Sequence, residues 1–255
     1  MDWRPVAVAA VVVLAGCGAL GGAGSDDPGR SEATSTLTPA PVPGVTATPV
    51  PLPPGLVEGG VSDADRLVDA HRSALGGRSY TLRVQLRVEE DLYTRLVQVE
   101  TPTRYYSHDV LGSTRGNVTQ FATGPSIYTR SAFLGVVRYD RLNNAYPPES
   151  RTVRLSRLFL QVGEAVVFET TVDGRPGFVV RGTYPVHPES ERLRNVTLRA
   201  VVEPSGLIRS MNVSYLRDGS RGPTNVTRSF AYSDLDSTTV ERPDWVDREF
   251  NDTDG

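Results

Sequence analysis

The chain has 255 residues, 38% of them hydrophobic, enough for one domain with a real core. Its formal charge is only -3 and acidic and basic side chains are mixed along it without a basic stripe, which excludes the electrostatic footprint of a nucleic-acid-binding protein. Cys17 is the single cysteine, so neither an intramolecular disulfide nor a cysteine-based zinc site can form.

Arg4 makes the start weakly positive, residues 6–14 form an unbroken apolar run, and Leu14, Ala15, Gly16 and Cys17 follow at once. This order reads as a secretory signal, residues 1–16, ending in a lipobox. The small side chains of Ala15 and Gly16 let a peptidase approach, and the Cys17 thiol is the nucleophile toward the lipid donor. The run is shorter than the roughly 20 apolar residues needed to cross a bilayer. A two-chain lipid on Cys17 is the expected anchor, since one chain alone holds a protein only marginally. A lone arginine in place of a twin pair favours the general secretory route. The expected location is the outer face of the cytoplasmic membrane.

Residues 17–60 read as a tether. Its glycine-rich start is flexible by composition, and the Pro/Thr part, with Pro39, Pro41, Pro43, Pro49, Pro51, Pro53 and Pro54, favours extended polyproline II. The same composition is compatible with O-glycosylation.

The domain is expected over 61–250, with a short tail at 251–255. Ser62 followed by Asp65 reads as a capping box, and Val61, Ala64, Leu67, Val68, His71 and Leu75 recur at helical spacing up to Gly76-Gly77. Tyr80, Leu82, Val84, Leu86 and Val88 then alternate with polar residues as a half-buried strand. Further strands are expected over 93–100, 104–110, 118–123 and 126–130, the last two joined at Gly124-Pro125. A polar loop follows, then a second helix over 153–166. Strands 168–172 and 178–184 flank the Asp173-Gly174 turn, 194–202 faces 207–215 across Pro204-Ser205-Gly206, and 225–232 closes the series. Adjacent strands without βαβ alternation give an α+β class: an antiparallel sheet with about two helices on one face.

Asn117, Asn195, Asn212, Asn225 and Asn251 each begin an N-glycosylation sequon. Alternation puts Asn195 with Thr197 and Arg199, Asn212 with Ser210 and Ser214, and Asn225 with Thr227 and Ser229, all on polar strand faces. If those strands are neighbours, one side of the sheet is wet and the other needs a cover of helices or a ligand.

Nothing in the chain carries the spacing of a known catalytic or metal centre. His71, His108 and His187 do not pair at helical or hairpin spacing, and no nucleophile elbow, phosphate loop or dinucleotide fingerprint occurs. His71 lies on the apolar side of its helix, as a packed residue would. Glu89, Glu90 and Asp91 read as a solvated turn. A non-enzyme without cofactor is the expectation.

Cys17, the Pro/Thr tether, the first helix, the Gly-Gly turn into Tyr80 and the closing Pro243-Asp244-Trp245-Val246 together resemble haloarchaeal surface lipoproteins, and a composition with arginine as its only long basic residue agrees. The domain resembles the LolA-like, lipoprotein-carrier-like fold. That resemblance implies a curved antiparallel sheet, an incomplete barrel with its helices on the concave face, able to shelter an acyl chain or another apolar ligand. Leu82, Val84, Leu86, Met211, Val213 and Tyr215 are then the candidate lining. The other reading is an envelope interaction protein with a filled core, meeting protein partners through loops such as 141–151. An apolar cavity of several hundred Å³ separates the two.

Overall fold

A computed structural model describes residues 50–112, 116–143, 150–161, 165–187 and 190–250. The segments expected to be signal, lipobox with Cys17 and tether up to residue 49, and Asn251, lie outside the described residues.

The domain begins earlier than the composition implies. Val50 and Leu52 pack against the core, Leu56 is 6% exposed, and a small hairpin joins β1 (Leu56–Val57) to β2 (Gly60–Val61). Gly55 sits at φ +86°, where an added Cβ would lie 2.3 Å from the Asp63 carbonyl oxygen. Packing on the core is therefore present from Val50, the first described residue, ahead of the boundary expected at Gly60. Proline-rich composition describes backbone stiffness and not burial, so the packed Leu52 and Leu56 were absorbed into the spacer.

Helix α1 (Ala64–Leu75) buries Leu67, Val68, His71 and Leu75 on one stripe and ends at Gly76. Its N-cap is Asp63, whose side chain accepts from the Arg66 amide, and not Ser62. Ser62 is taken by another partner: its amide and its hydroxyl both donate to the Gly55 carbonyl. Satisfying that carbonyl shifts the cap by one residue.

Six strands follow as a meander: β3 (Tyr80–Val88), β4 (Asp91–Thr101), β5 (Arg104–Leu111), β6 (Gly116–Thr123), β7 (Ser126–Phe133) and β8 (Val136–Leu142). Strand β8 occupies ground expected to be loop. Leu134 and Gly135, both at positive φ, form the tight turn that returns the chain on itself. Helix α2 (Ser150–Leu160) is shorter than the expected 153–166, because Ala165 and Val166 already belong to β9 (Ala165–Val172), paired with β10 (Arg175–His187). Pairing with the neighbouring strand overrides the helical spacing there. Strands β11 (Ser190–Val202), β12 (Ile208–Gly219) and β13 (Gly222–Ser233) complete a second meander, and a third, unforeseen helix, α3 (Asp244–Phe250), closes the chain.

All eleven long strands form one antiparallel sheet in the order β8-β7-β6-β5-β4-β3-β13-β12-β11-β10-β9. The two meanders meet where β13 pairs with β3. Twist accumulated over so many strands curls a sheet, and here it remains open between β8 and β9. That topology also explains the position of α2. The chain leaves one edge at β8 and re-enters at the other edge, β9, and between them α2 packs Phe159 and Leu160 into the inner-face core.

The main core lies on that face, under α1 and α2, with Leu67, Phe159, Val97, Phe178, Val213 and Phe230 among its members. A second cluster sits on the opposite face: Phe121, Tyr128, Val240 and Val246, flanked by Tyr106, Trp245 and Phe250. The expectation of helices on one face holds for α1 and α2, whereas α3 packs behind the sheet, with the Arg242 guanidinium over the Phe121 ring.

Candidate functional site

Register builds the inner face in rows. Tyr232, Leu82, Val97 and Ser107 are cross-strand neighbours in one row; Phe230, Val84, Arg95 and Asp109 in the next; Arg228, Leu86, Tyr93 and Leu111 in a third. The helices cover these rows unequally. Leu82 is 1% exposed and Val97 is fully buried, but Val84, Leu86 and Tyr93 are only half-buried. The uncovered part forms a cavity of about 500 Å³ between the third to fifth strands and α2. Leu82, Val84, Leu86 and Leu111 form its sheet wall, and Thr152, Arg154, Leu155 and Leu158 of α2 its other wall. Its volume falls within the range of ligand sites, and its walls are mostly apolar with a few polar groups.

Leu82, Val84 and Leu86, three of the six candidate lining residues, stand in this cavity. Met211, Val213 and Tyr215 do not. They are buried on β12, beyond the Arg228 strand β13, where Tyr215 stacks on Phe159 of α2 at 5.4 Å between ring centres. Alternation places all six on one face, but only the position of α2 separates covered from uncovered rows.

The polar groups of the cavity escaped the sequence reading. Arg95 and Asp109 face each other across β4 and β5 at 3.4 Å, their side chains 16% and 18% exposed. Arg228 donates from Nε to the Tyr215 hydroxyl at 2.9 Å. A signal for Arg228 does exist in the pattern, since it has the parity of Val226, Phe230 and Tyr232, all buried. A charged residue on the apolar parity of a strand marks either a tolerated defect or a site.

Behind the cavity, a buried polar chain ties the layers together. His71 Nδ1 accepts from the Ile208 amide at 3.2 Å; because an amide can only donate, Nδ1 is unprotonated and Nε2 carries the hydrogen. Nε2 faces the Tyr232 hydroxyl at 3.4 Å, and that hydroxyl lies 2.9 Å from Thr152 Oγ1. Burial lowers the His71 pKa to about 4, so the ring is neutral near pH 7. His108 meets Thr119 Oγ1 at 3.2 Å, and His187 is buried against the Leu158 carbonyl at 2.9 Å, beside Phe159 and Tyr184. The three histidines occupy three separate settings. Glu89 turns the chain between β3 and β4, where its carboxylate accepts from the Asn225 amide.

Asn212 and Asn225 are exposed on the outer side of the adjacent strands β12 and β13, and Asn195 is exposed at a bulge of β11, at φ +51°, where the alternation is interrupted. Asn117 is half-buried and accepts from Arg130 at 3.4 Å. Of the loop 141–151 expected to meet partners, Arg141 and Leu142 end β8, 144–149 lie outside the described residues, and α2 begins at Ser150.

No protein-family model matches the chain, and no curated protein does. Its structural neighbours are LolA superfamily and DUF1329 proteins. A LolA superfamily protein from Nitrosomonas europaea aligns over 72% of this chain and 96% of its own, with 10% identity and a TM-score of 0.27. A DUF1329 family protein from Desulfovibrio piger aligns over 74% and 96%, with 11% identity and a TM-score of 0.25. At these scores the functional reading rests on the geometry of this chain.

Proposed function

We propose that this chain is an exported, lipid-anchored binding protein, held by Cys17 at the cell surface, whose domain shelters an apolar, acyl-type ligand. The observation that carries the reading is the cavity of about 500 Å³ beside Leu82, Val84 and Leu86. Burying apolar surface contributes about 25 cal/mol per Å², so half-covered aliphatic side chains in a concave site favour occupation by an apolar group. Binding and not catalysis is the proposed role. A tether of several tens of residues between anchor and domain would let the cavity reach material away from the membrane surface.

The test is native mass spectrometry of the full chain purified from its own host, followed by organic extraction. A discrete extractable lipid or isoprenoid mass is the expected result and names the ligand class. A chain that arrives without extractable ligand, and takes up none from total lipid extract, refutes the reading.

One observation favours a second reading, an envelope interaction module. The β7–β8 hairpin exposes Phe133, Leu134, Val136 and Val137, with Leu134 86% exposed at its tip. Contiguous exposed apolar side chains of this kind mark contact surfaces. Crosslinking at Leu134 to an envelope protein in intact cells would support it.

A further inference from the structure

The charges in the cavity do not cancel. Three guanidiniums, Arg95, Arg154 and Arg228, face one carboxylate, Asp109. Asp109 is engaged by Arg95 across the strand pair, so the net charge of +2 resides on Arg154 and Arg228. Among the described residues neither of these is paired with a carboxylate. Arg228 is half-buried, and its printed partner is the neutral hydroxyl of Tyr215. A hydroxyl accepts a hydrogen bond but does not neutralise the charge, and aliphatic walls beside a half-buried guanidinium reduce its access to water. Arg154 is exposed at the α2 side of the same cavity, one helical turn before Leu158 and next to Leu155.

An apolar site with two uncompensated guanidiniums fits a particular chemistry. Arginine matches carboxylate and phosphate oxygens through paired, charge-assisted hydrogen bonds. Walls of low dielectric concentrate the field of the two charges on such a head. Resting on the reading of the cavity as an apolar-ligand site, we propose that its ligand is an acyl amphiphile with an acidic head, carboxylate or phosphate. The head lies on Arg228 and Arg154, and the tail runs along Leu82, Val84, Leu86 and Leu158. Arg95, held by Asp109, lies in the Val84 row, alongside the tail.

The test is calorimetric titration of the delipidated full chain with dodecanoate, dodecyl phosphate, dodecanol and inorganic phosphate. The expected order is the two acidic amphiphiles at least about tenfold tighter than dodecanol, with inorganic phosphate alone undetected. Arg228→Gln should bring dodecanoate to within about threefold of dodecanol while dodecanol binding is retained, and the exposed Arg154→Gln should act in the same direction without disturbing the fold. Retained dodecanol binding also shows that Arg228→Gln is folded. Equal binding of dodecanoate and dodecanol by the unaltered chain overturns the acidic head while leaving the apolar site standing. Failure of every amphiphile overturns the apolar site itself. Inorganic phosphate binding as tightly as dodecyl phosphate would assign the arginines to a free anion and also overturn the proposal.

Discussion

Acidification should loosen the domain through His71, and the size of the effect follows from its burial. The ring is fully buried between α1, β12 and β13, and desolvation lowers its pKa from 6.5 to about 4. Between those values the unfolded chain binds the proton and the folded chain does not. The stabilisation from a neutral His71 is therefore complete above about pH 6.5 and is lost as pH falls through 6.5 toward 4. A shift of this size corresponds to about 3 kcal/mol in full and about 2 kcal/mol by pH 5. For a domain of this length, 2 kcal/mol is about 4–8 °C in Tm. Burial is the cause of the shift, and the Ile208 amide acts in the same direction, because a proton on Nδ1 would set two donors against each other at 3.2 Å. Thermal melts by circular dichroism at pH 7 and pH 5 test this, comparing the unaltered chain with His71→Asn, whose amide oxygen can still accept from Ile208 but which does not titrate. The variant should be less stable at pH 7 yet lose much less on acidification. The carboxyls of Glu100 and Asp236 are both held below their usual values, the first by the Val240 amide and the second by the Arg78 guanidinium. If both chains lose the same Tm between pH 7 and pH 5, His71 is not the titrating group and the argument fails.

Three further predictions address the cavity, the domain boundary and the anchor. Leu86→Trp should fill the space beside Val84 and abolish lipid co-purification with a Tm within about 3 °C of the unaltered chain; unchanged ligand content would place the site elsewhere. Gly55→Ala should cost about 1–3 kcal/mol from its positive φ alone, and more from the approach of Asp63, whereas Gly59→Ala, with open space around it, should be neutral in a urea melt. Equal and negligible effects at both glycines would return residue 55 to the tether. Cys17→Ser should move the protein from the membrane fraction to the medium on a blot, and continued membrane retention would remove the lipid anchor from the proposed function.

Much of this architecture is written in local pattern. The alternation of Tyr80, Leu82, Val84, Leu86 and Val88 yields β3 at its observed bounds, and the Asp173-Gly174 and Pro204-Ser205-Gly206 turns identify two correct strand pairs, because side-chain parity and turn chemistry act between near neighbours. The exposed outer positions of β12 and β13 follow from the same parity, whereas the bulge at Asn195 interrupts it in β11. Other features depend on contacts between distant segments. Val50, Leu52 and Leu56 become part of the domain only because the core offers them a place, and Ala165 and Val166 become strand only because β10 lies beside them. The pairing of β13 with β3, residues more than a hundred apart, has no local signature.

The cavity belongs to this second class. Parity alone puts Leu82, Val84, Leu86, Met211, Val213 and Tyr215 on one inner face, as equals. What divides them is the position of α2, which presses Phe159 onto Tyr215 while leaving Leu86 partly uncovered. Which side chains point inward is legible in their alternation along each strand; which of them protein covers, and which stand open beside three arginines, depends on where another segment lies and not on the residue or its neighbours in the chain.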